Sequence, residues 1–237
     1  MQFEQNKFYL TVDIVVFTII QGELKIVLIK RKKEPHRGMF ALPGGFVNLH
    51  ESLDDAAKRE LHEETGLKEV FLKRLHVFAD INLKRLRVFA DVNRDPRGRV
   101  VTVSYLALID GETVKLHATS DAELAKWFSI GNLPELAFDH REIIEDALKE
   151  LRFEIQMTNI AYQLLGPKFT MSELKNAYEI VLDKELDKRN FSKRIKLLGI
   201  LRPTTETKME GAHRPAQLFE FKDKEYTFLK DKINVFV

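Results

Sequence analysis

Gly45-FVNLH-Glu51-SLDDAAK-Arg59-Glu60-Leu61-His62-Glu63-Glu64-Thr65-Gly66-Leu67 is the stretch from which the rest of the chain is best read. It satisfies G-x5-E-x7-R-E-U-x-E-E-x-G-U, with U an aliphatic residue, at all nine defined positions. Glu60, Glu63 and Glu64 stand at i, i+3 and i+4, which on a helix is one face. Like charges so placed repel by about 0.2–0.5 kcal/mol per pair on an exposed helix. A divalent cation turns that repulsion into a binding site. An all-oxygen ligand set suits Mg2+ or Mn2+, not zinc or copper. The competing reading is a solvated acidic face laced by pairs such as Arg59 with Glu63.

The residues around this stretch predict how it is held. Ser52 can cap the helix, with Asp55 in the place of the usual capping-box acid. Leu53, Ala57 and Leu61 form its apolar stripe, and Gly66 sits where a helix stops. The carboxylates then lie in the C-terminal half, one helix face packed and another turned to a site. Leu42-Pro43-Gly44-Gly45 is a tight backbone passage just before it.

The chain of 237 residues has room for one large domain or two modest ones. Its 44% hydrophobic and 31% charged residues read as a soluble globular protein. No apolar run reaches the roughly 18 residues that span a bilayer, so no membrane partner is expected. The best stretch, Val12–Ile20, is interrupted by Asp13 and Thr18. The first residues, MQFEQNKFYL, lack the order of a signal peptide, and there are no cysteines. A cytoplasmic location is the expectation, and thiol chemistry is excluded.

The net charge of +2 conceals an asymmetry. Residues 151–237 hold 16 Lys and Arg against 12 Asp and Glu, and Lys184–Arg202 alone has seven basic and two acidic residues. A basic cluster of this kind raises the expectation of a nucleic-acid partner.

Elsewhere, alternation predicts strands over Tyr9–Phe17 and Leu24–Lys30 around a Gly22-Glu23 turn, then Val100–Ile109 and a short Ala125–Phe128. Arg31–Arg37 is a basic loop containing a proline. Leu72-KRLHVFADI-Asn82 is followed at once by Leu83-KRLRVFADV-Asn93, identical at nine of eleven positions. An odd repeat would flip the apolar face of one continuous strand, so either a hairpin turning near Asp80–Leu83 or a looped-out duplication is expected. Ile143, Ile144, Ala147, Leu148 and Leu151 mark a helix from about His140 to Gln156. Gly166-Pro167 breaks the pattern, which divides the chain into domains over 1–160 and 166–237. Thr170 with Glu173 is a capping box opening a helix to about Leu182. Lys188–Leu198 reads as a second helix, and Ile200–Arg202 with Ala216–Phe221 as paired strands around a polar loop.

The acidic stretch resembles the Nudix box with every defined position filled, and the resemblance covers about residues 9–157. It implies an α+β fold: an N-terminal α/β/α sandwich with a mixed sheet, followed here by a small winged helix-turn-helix domain. It also implies Mg2+-dependent (or Mn2+-dependent) hydrolysis of nucleoside diphosphate derivatives. Glu60, Glu63 and Glu64 are the expected metal ligands, joined by the carbonyl of Gly44. Arg59 orients the glutamates and Glu51 supports that arrangement. The general base is left open between Glu60 and an acid outside the box, with Asp121 and Glu123 as downstream candidates. Arg94, Arg97 and Arg99 either clamp phosphate oxygens or form a salt-bridged turn with Asp91 and Asp95. That turn and Ala137-Phe138-Asp139-His140 resemble the ADP-ribose pyrophosphatases of the family, which makes His140 a candidate substrate contact. Phe17 or Phe40 either stacks on a base or belongs to the core.

With the second half included, the chain resembles the Nudix-related transcriptional regulators with a C-terminal winged helix. In those, the Nudix domain senses a ligand and a homodimer places two recognition helices on double-stranded DNA. Arg189, Asn190, Lys193, Arg194 and Lys196 are the candidate DNA contacts, with Phe191, Ile195, Leu197 and Leu198 packing the helix. Lys208, His213 and Arg214 place the wing on the backbone. Three readings stand: a hydrolase joined to a DNA-binding regulator, a plain Nudix pyrophosphatase with a dimerisation tail, and a non-catalytic ADP-ribose- or sugar-sensing repressor.

Overall fold

The fold was obtained as a computed structural model, which describes residues 8–67, 84–111, 116, 122–209, 215–223 and 225–229. Strands β1 (Tyr9–Ile20) and β2 (Glu23–Arg31) form a hairpin in which Ile20 faces Glu23. The turn residues Gln21 and Gly22 both have positive φ, 55° and 76°, the backbone that two-residue hairpins require. Short strands β3 (Phe40–Ala41) and β4 (Gly44–Phe46) lead into helix α1 (Leu53–Thr65). Strands β5 (Lys84–Phe89), β6 (Val100–Leu108) and β7 (Ala122–Ser129) follow, then helix α2 (His140–Met157). Sheet order is β3-β2-β1-β6-β5, with β4 on β1 and β7 on β2. β1 and β6 run parallel from Tyr9 opposite Val100 to Phe17 opposite Leu108, while the other pairs are antiparallel, so the sheet is mixed.

β1 shows why helices cover both faces. Val12, Ile14 and Val16 pack with Ala56 and Ala57 of α1, whereas Val15 and Phe17 pack with Ile143, Ile144 and Ala147 of α2. A strand alternating in this way with no polar face must be buried on both sides. Of the expected stripe Ala57 is buried while Leu53 and Leu61 are only partly so, and the helix also buries Ala56, Glu64 and Thr65. Ser52 accepts from the Asp55 amide at 3.1 Å, and Gly66 closes the helix with φ 70°. β7 is longer than the sequence implied. Of the tandem repeat, residues 84–89 of the second copy form β5; the first copy and the expected turn at Asp80–Leu83 lie outside the described residues.

The second unit comprises β8 (Phe169–Thr170), α3 (Met171–Leu182), α4 (Lys188–Leu198), β9 (Leu201–Lys208) and β10 (Ala216–Phe221), with sheet order β8-β10-β9. The capping box is present in full: Glu173 N–H donates to Thr170 Oγ1 at 3.1 Å, and Thr170 N–H to Glu173 Oε2 at 2.7 Å. Asp187 caps α4 and Gly199, at φ 64°, ends it.

One apolar core runs through both units. Leu151 and Ile155 of α2 continue into Ile160, Ala161, Leu164, Leu174, Tyr178, Val181 and Phe191. Chain segment 158–161 is therefore buried rather than an exposed linker. After β10 the chain returns to this junction: Asn159 Nδ2 donates to the Glu225 carbonyl at 2.8 Å, and Tyr226 Oη to buried Glu154 at 2.7 Å. Arg152 of α2 donates to the Val181 carbonyl at the end of α3 at 3.0 Å. No helix among the described residues is long and apolar enough to cross a membrane.

Candidate active site and nucleic-acid face

The first site is built where the glycine passage lies against α1. A Cβ on Gly45 would stand 2.3 Å from Glu60 Oε1, and one on Gly44 would stand 2.1 Å from the Val12 carbonyl oxygen. A side chain at Gly44 would collide with the β1 backbone, and one at Gly45 would displace the Glu60 carboxylate. The Gly44 amide donates to Glu64 Oε2 at 2.9 Å.

Arg59 is committed on every arm. Its Nε and Nη2 donate to the two oxygens of Glu51 at 2.9 and 2.7 Å. Nη1 reaches Glu60 Oε1 at 2.7 Å and Glu63 Oε2 at 3.3 Å, and Nη2 also meets the Phe46 carbonyl at 3.0 Å. The bond from Arg59 pulls the Glu51 carboxyl down to about 2, and the same bond raises the basicity of Arg59. Glu60 moves the other way, because burial outweighs the help from Arg59. Burial pushes Glu64 up to about 8; the Gly44 amide offsets part of this, and the nearby charges of Glu60 and Asp13 add to it.

These oxygens fit a hard divalent ion. Glu60 and Glu64 are both held in too little water for their charge, at a backbone cradle that a Cβ would fill. Among the described residues no three acidic or histidine side chains are already gathered as ligands, since Arg59 holds Glu60 and Glu63 to itself. An ion here has to compete with Arg59 for Glu60.

A cavity of about 380 Å³ opens beside them, bordered by Gly44, Gly45, Glu60 and Glu64 and by Asp13, Arg31, Phe46, Arg94, Arg97, Phe138 and His140. That volume lies in the range of small-ligand pockets. The three arginines proposed from the sequence separate here. Arg94 is buried and forked onto Asp139 at 2.9 and 2.8 Å, with Asp13 at 3.5 Å. Burial acts against its charge, but the bond to Asp139 and the Asp13 charge more than compensate. Its partners are thus Asp139 and Asp13, not the turn carboxylates Asp91 and Asp95, and its fork is not open to a phosphate. Arg97 does pair within the turn, with Nη2 2.6 Å from Asp95 Oδ2, yet its guanidinium lies 4.9 Å from the Phe46 ring at the cavity. Arg99 does not border the cavity; it donates to the Ala90 carbonyl at 2.6 Å.

His140 opens α2 from inside the protein. Leu42 N–H donates to its Nδ1 at 2.8 Å, and its Nε2 faces Asp13 Oδ1 at 3.5 Å. Accepting at Nδ1 requires a neutral ring, and burial lowers its basicity accordingly. It braces the glycine passage from behind rather than standing free for a substrate. Phe17 is fully buried, and Phe40 packs edge-on to Phe128 at 4.8 Å, so both serve the core. Glu123 is exposed and reaches Lys30 at 3.3 Å; Asp121 lies outside the described residues.

Sequence reasoning gave no site role to Asp13, Arg31 or Phe46, and took Phe138 only as part of the Ala137–His140 resemblance. Asp13 had left a signal, because a carboxylate inside an apolar strand seldom goes unpartnered.

The second site is the outer face of α4. Arg189, Asn190, Lys193 and Lys196 are exposed and Arg194 is half-buried, while Phe191 and Ile195 hold the helix to α3. Leu197 points away from that core at 73% exposure, contrary to the packing role expected of it, because it falls on the basic side of the helix. Lys208, at the end of β9, is drawn to Glu173 at 2.5 Å, so the capping-box acid also anchors the wing. His213 and Arg214 lie outside the described residues.

Known proteins share this order of a box-bearing domain followed by a winged helix. Residues 10–147 match the NUDIX domain and residues 161–221 match the NrtR DNA-binding winged helix domain. The chain belongs to the Nudix family and carries a DNA-binding winged helix behind its Nudix domain. More narrowly, it is 35% identical over 223 residues to the ADPR responsive transcriptional repressor NtrR of Acinetobacter baylyi, covering 92% of this chain and 84% of that one. It is 43% identical over 147 residues to the ADP-ribose pyrophosphatase of Methanocaldococcus jannaschii, covering 62% of this chain and 79% of that one. The crystal structure of Shewanella oneidensis NrtR complexed with a 27mer DNA superposes with a TM-score of 0.74 at 31% identity, covering 90% of this chain and 93% of that one.

Proposed function

We propose that this protein is an ADP-ribose-responsive, DNA-binding transcriptional regulator whose Nudix domain also hydrolyses ADP-ribose or a related nucleoside diphosphate. The single observation that carries the reading is the complete box on α1, folded so that buried Glu64 meets the Gly44 amide at the edge of a ligand-sized cavity. The NtrR and ADP-ribose pyrophosphatase relatives support the choice of ligand.

Within the site, Glu60, Glu63 and Glu64, with the Gly44 carbonyl, would hold Mg2+ or Mn2+. Such an ion supplies charge neutralisation at the pyrophosphate and an acidified water. Arg59 keeps Glu60 and Glu63 from repelling each other and Glu51 keeps Arg59 in place. Asp13 and Asp139 hold Arg94, and His140 fixes the Leu42 amide, so the glycine passage is rigid when ligand arrives. In the second unit, Arg189, Asn190, Lys193, Arg194 and Lys196 face DNA, with phosphate contacts giving affinity and base edges giving specificity. A homodimer in the cytoplasm, reading two half-sites, completes the reading.

A non-catalytic sensor is the second reading, favoured by the hold of Arg59 on Glu60 and Glu63. A panel of nucleoside diphosphate derivatives with Mg2+, scored by phosphate released after phosphatase treatment, separates the two. A gel shift with DNA from the protein's own upstream region, with and without ADP-ribose, tests regulation. No retarded band at any protein concentration would leave a plain hydrolase.

A further inference from the structure

The apolar junction between the two units gives adhesion but no angle, since the hydrophobic effect has no direction. Directed bonds come from residues 225–229, which follow the winged-helix sheet and run back over the end of α2. Asp223 turns the chain: its Oδ1 accepts the Glu225 amide at 2.8 Å. Thr158 and Phe228 then pair as an antiparallel bridge. The Asn159 amide donates to the Thr227 carbonyl at 3.1 Å, and the Leu229 amide to the Met157 carbonyl at 2.9 Å. Leu229 itself is buried.

The receiving side is shaped for this segment. Asn159 is only 3% exposed, and its side chain turns wholly to the returning chain. Nδ2 donates to the carbonyls of Asp223 and Glu225 at 3.4 and 2.8 Å, and Oδ1 accepts the Thr227 amide at 2.9 Å. Glu154, 1% exposed, accepts from Tyr226 Oη at 2.7 Å. Burial, and then the bond to Glu154, raises the pKa of Tyr226, so its hydroxyl keeps the proton and donates it. If the segment left, a buried amide side chain would lose these partners and a buried carboxylate would lose a donor, which protein interiors seldom tolerate. The helix beneath matters as well. α2 has 18 residues, roughly 27 Å of helix, with His140 at the cavity and Glu154 under the segment.

We propose that residues 225–229 are a latch, an extended segment that the chain docks on its own junction to hold the winged helix at one angle to the Nudix domain, so that the two α4 helices of a homodimer meet two half-sites together. This rests on the reading that the protein binds DNA as a dimer. When the latch opens, only a fraction of the molecules keeps the competent angle, and affinity falls by that fraction. Attraction between the α4 cations and phosphates of arbitrary sequence needs no such angle.

The chain has no cysteines, so a pair introduced into it reports on the latch alone. Thr158 and Phe228 face each other between two backbone hydrogen bonds, a pairing in which Cα atoms stand about 4.5 Å apart, within the reach of a disulfide. Thr158→Cys with Phe228→Cys should close within one chain under mild oxidation, leave no thiol to titrate in the folded protein, and bind upstream DNA as wild type does. Tyr226→Phe with Thr227→Pro removes the hydroxyl that Glu154 takes and the amide that Asn159 takes. In gel shifts this open variant should bind upstream DNA about 10-fold more weakly, the fall expected if one molecule in ten keeps the angle. Its affinity for a shuffled sequence should match wild type. The same two substitutions placed in the oxidised cysteine pair should regain wild-type affinity and lose it again on adding reductant, a reversal that lost packing alone would not show. If the proline variant does not fold, Tyr226→Phe alone is compared in the same way. Free thiols in the folded cysteine pair, wild-type affinity in the open variant, or no rescue by oxidation overturns the latch. No DNA binding by wild type sinks the DNA reading instead, and thiol titration then decides the latch by itself.

Discussion

Helices α1 and α4 both load charge onto the end that the helix dipole disfavours, and they resolve it in opposite ways. α1 crowds Glu60, Glu63 and Glu64 into its last turns, where backbone carbonyls already point outward. α4 opens with Lys188 and Arg189, where backbone amides point outward. Each misplaced charge costs about 0.3–1 kcal/mol when exposed. α1 answers from within: Arg59 bridges the glutamates, the Gly44 amide meets Glu64, and the site is half-buried. α4 answers with its Asp187 cap and leaves Arg189, Lys193 and Lys196 exposed. An interior arrangement of this kind suits a small ion and a ligand in a cavity. A solvent-facing exterior one suits a large polyanion.

The comparison breaks most visibly at Glu64. Glu64→Gln should lower Mg2+-dependent release of AMP from ADP-ribose by on the order of a thousandfold, while gel-shift affinity for DNA stays as in wild type. Wild-type turnover in that variant would remove α1 from the metal site.

A pH titration sharpens the same contrast. Burial holds the Glu64 carboxyl at about 8, above its usual 4.5, so the folded chain binds a proton that the unfolded chain releases. Metal-free stability should therefore be greatest below about pH 4.5 as far as Glu64 is concerned and be lost as pH rises toward 8, with Mg2+ restoring it. Urea melts of wild type and Glu64→Gln across that window measure it. Equal slopes in the two proteins would refute the burial argument.

On α4 the expected effects are smaller and depend on salt. Lys193→Ala and Arg194→Ala should each weaken DNA binding and reduce the slope of log K against log salt by about one. An unchanged slope takes that residue off the phosphates. Smallest of all is the capping box. Thr170→Ala should cost about 1 kcal/mol in chemical denaturation without touching ADP-ribose turnover. A loss of turnover would show that the two units communicate through α3.

Much of this architecture was legible in residue order. The Gly44-Gly45 passage, the Ser52 and Thr170 caps, the Gly66 stop and the α2 stripe are local features, and local sterics and hydrogen bonding decide them. The cavity wall was harder. Arg94, Arg97 and Arg99 look alike in a turn, yet one is taken by Asp139, one by Asp95 and one by a carbonyl. The partner of Arg94 lies 45 residues away, and no spacing rule reaches it. Leu197 failed for a related reason: helical periodicity sets a face but not how much of it the neighbouring helix covers.

The order of residues by itself determined that an acidic face and a basic face exist, on two capped helices in two units, because charge spacing and caps act within a few residues. Only the tertiary structure decided which charged groups remain available. Pairing across the sheet and burial settle which guanidinium group is held by a carboxylate and which by a carbonyl, and those depend on contacts between segments far apart in the chain.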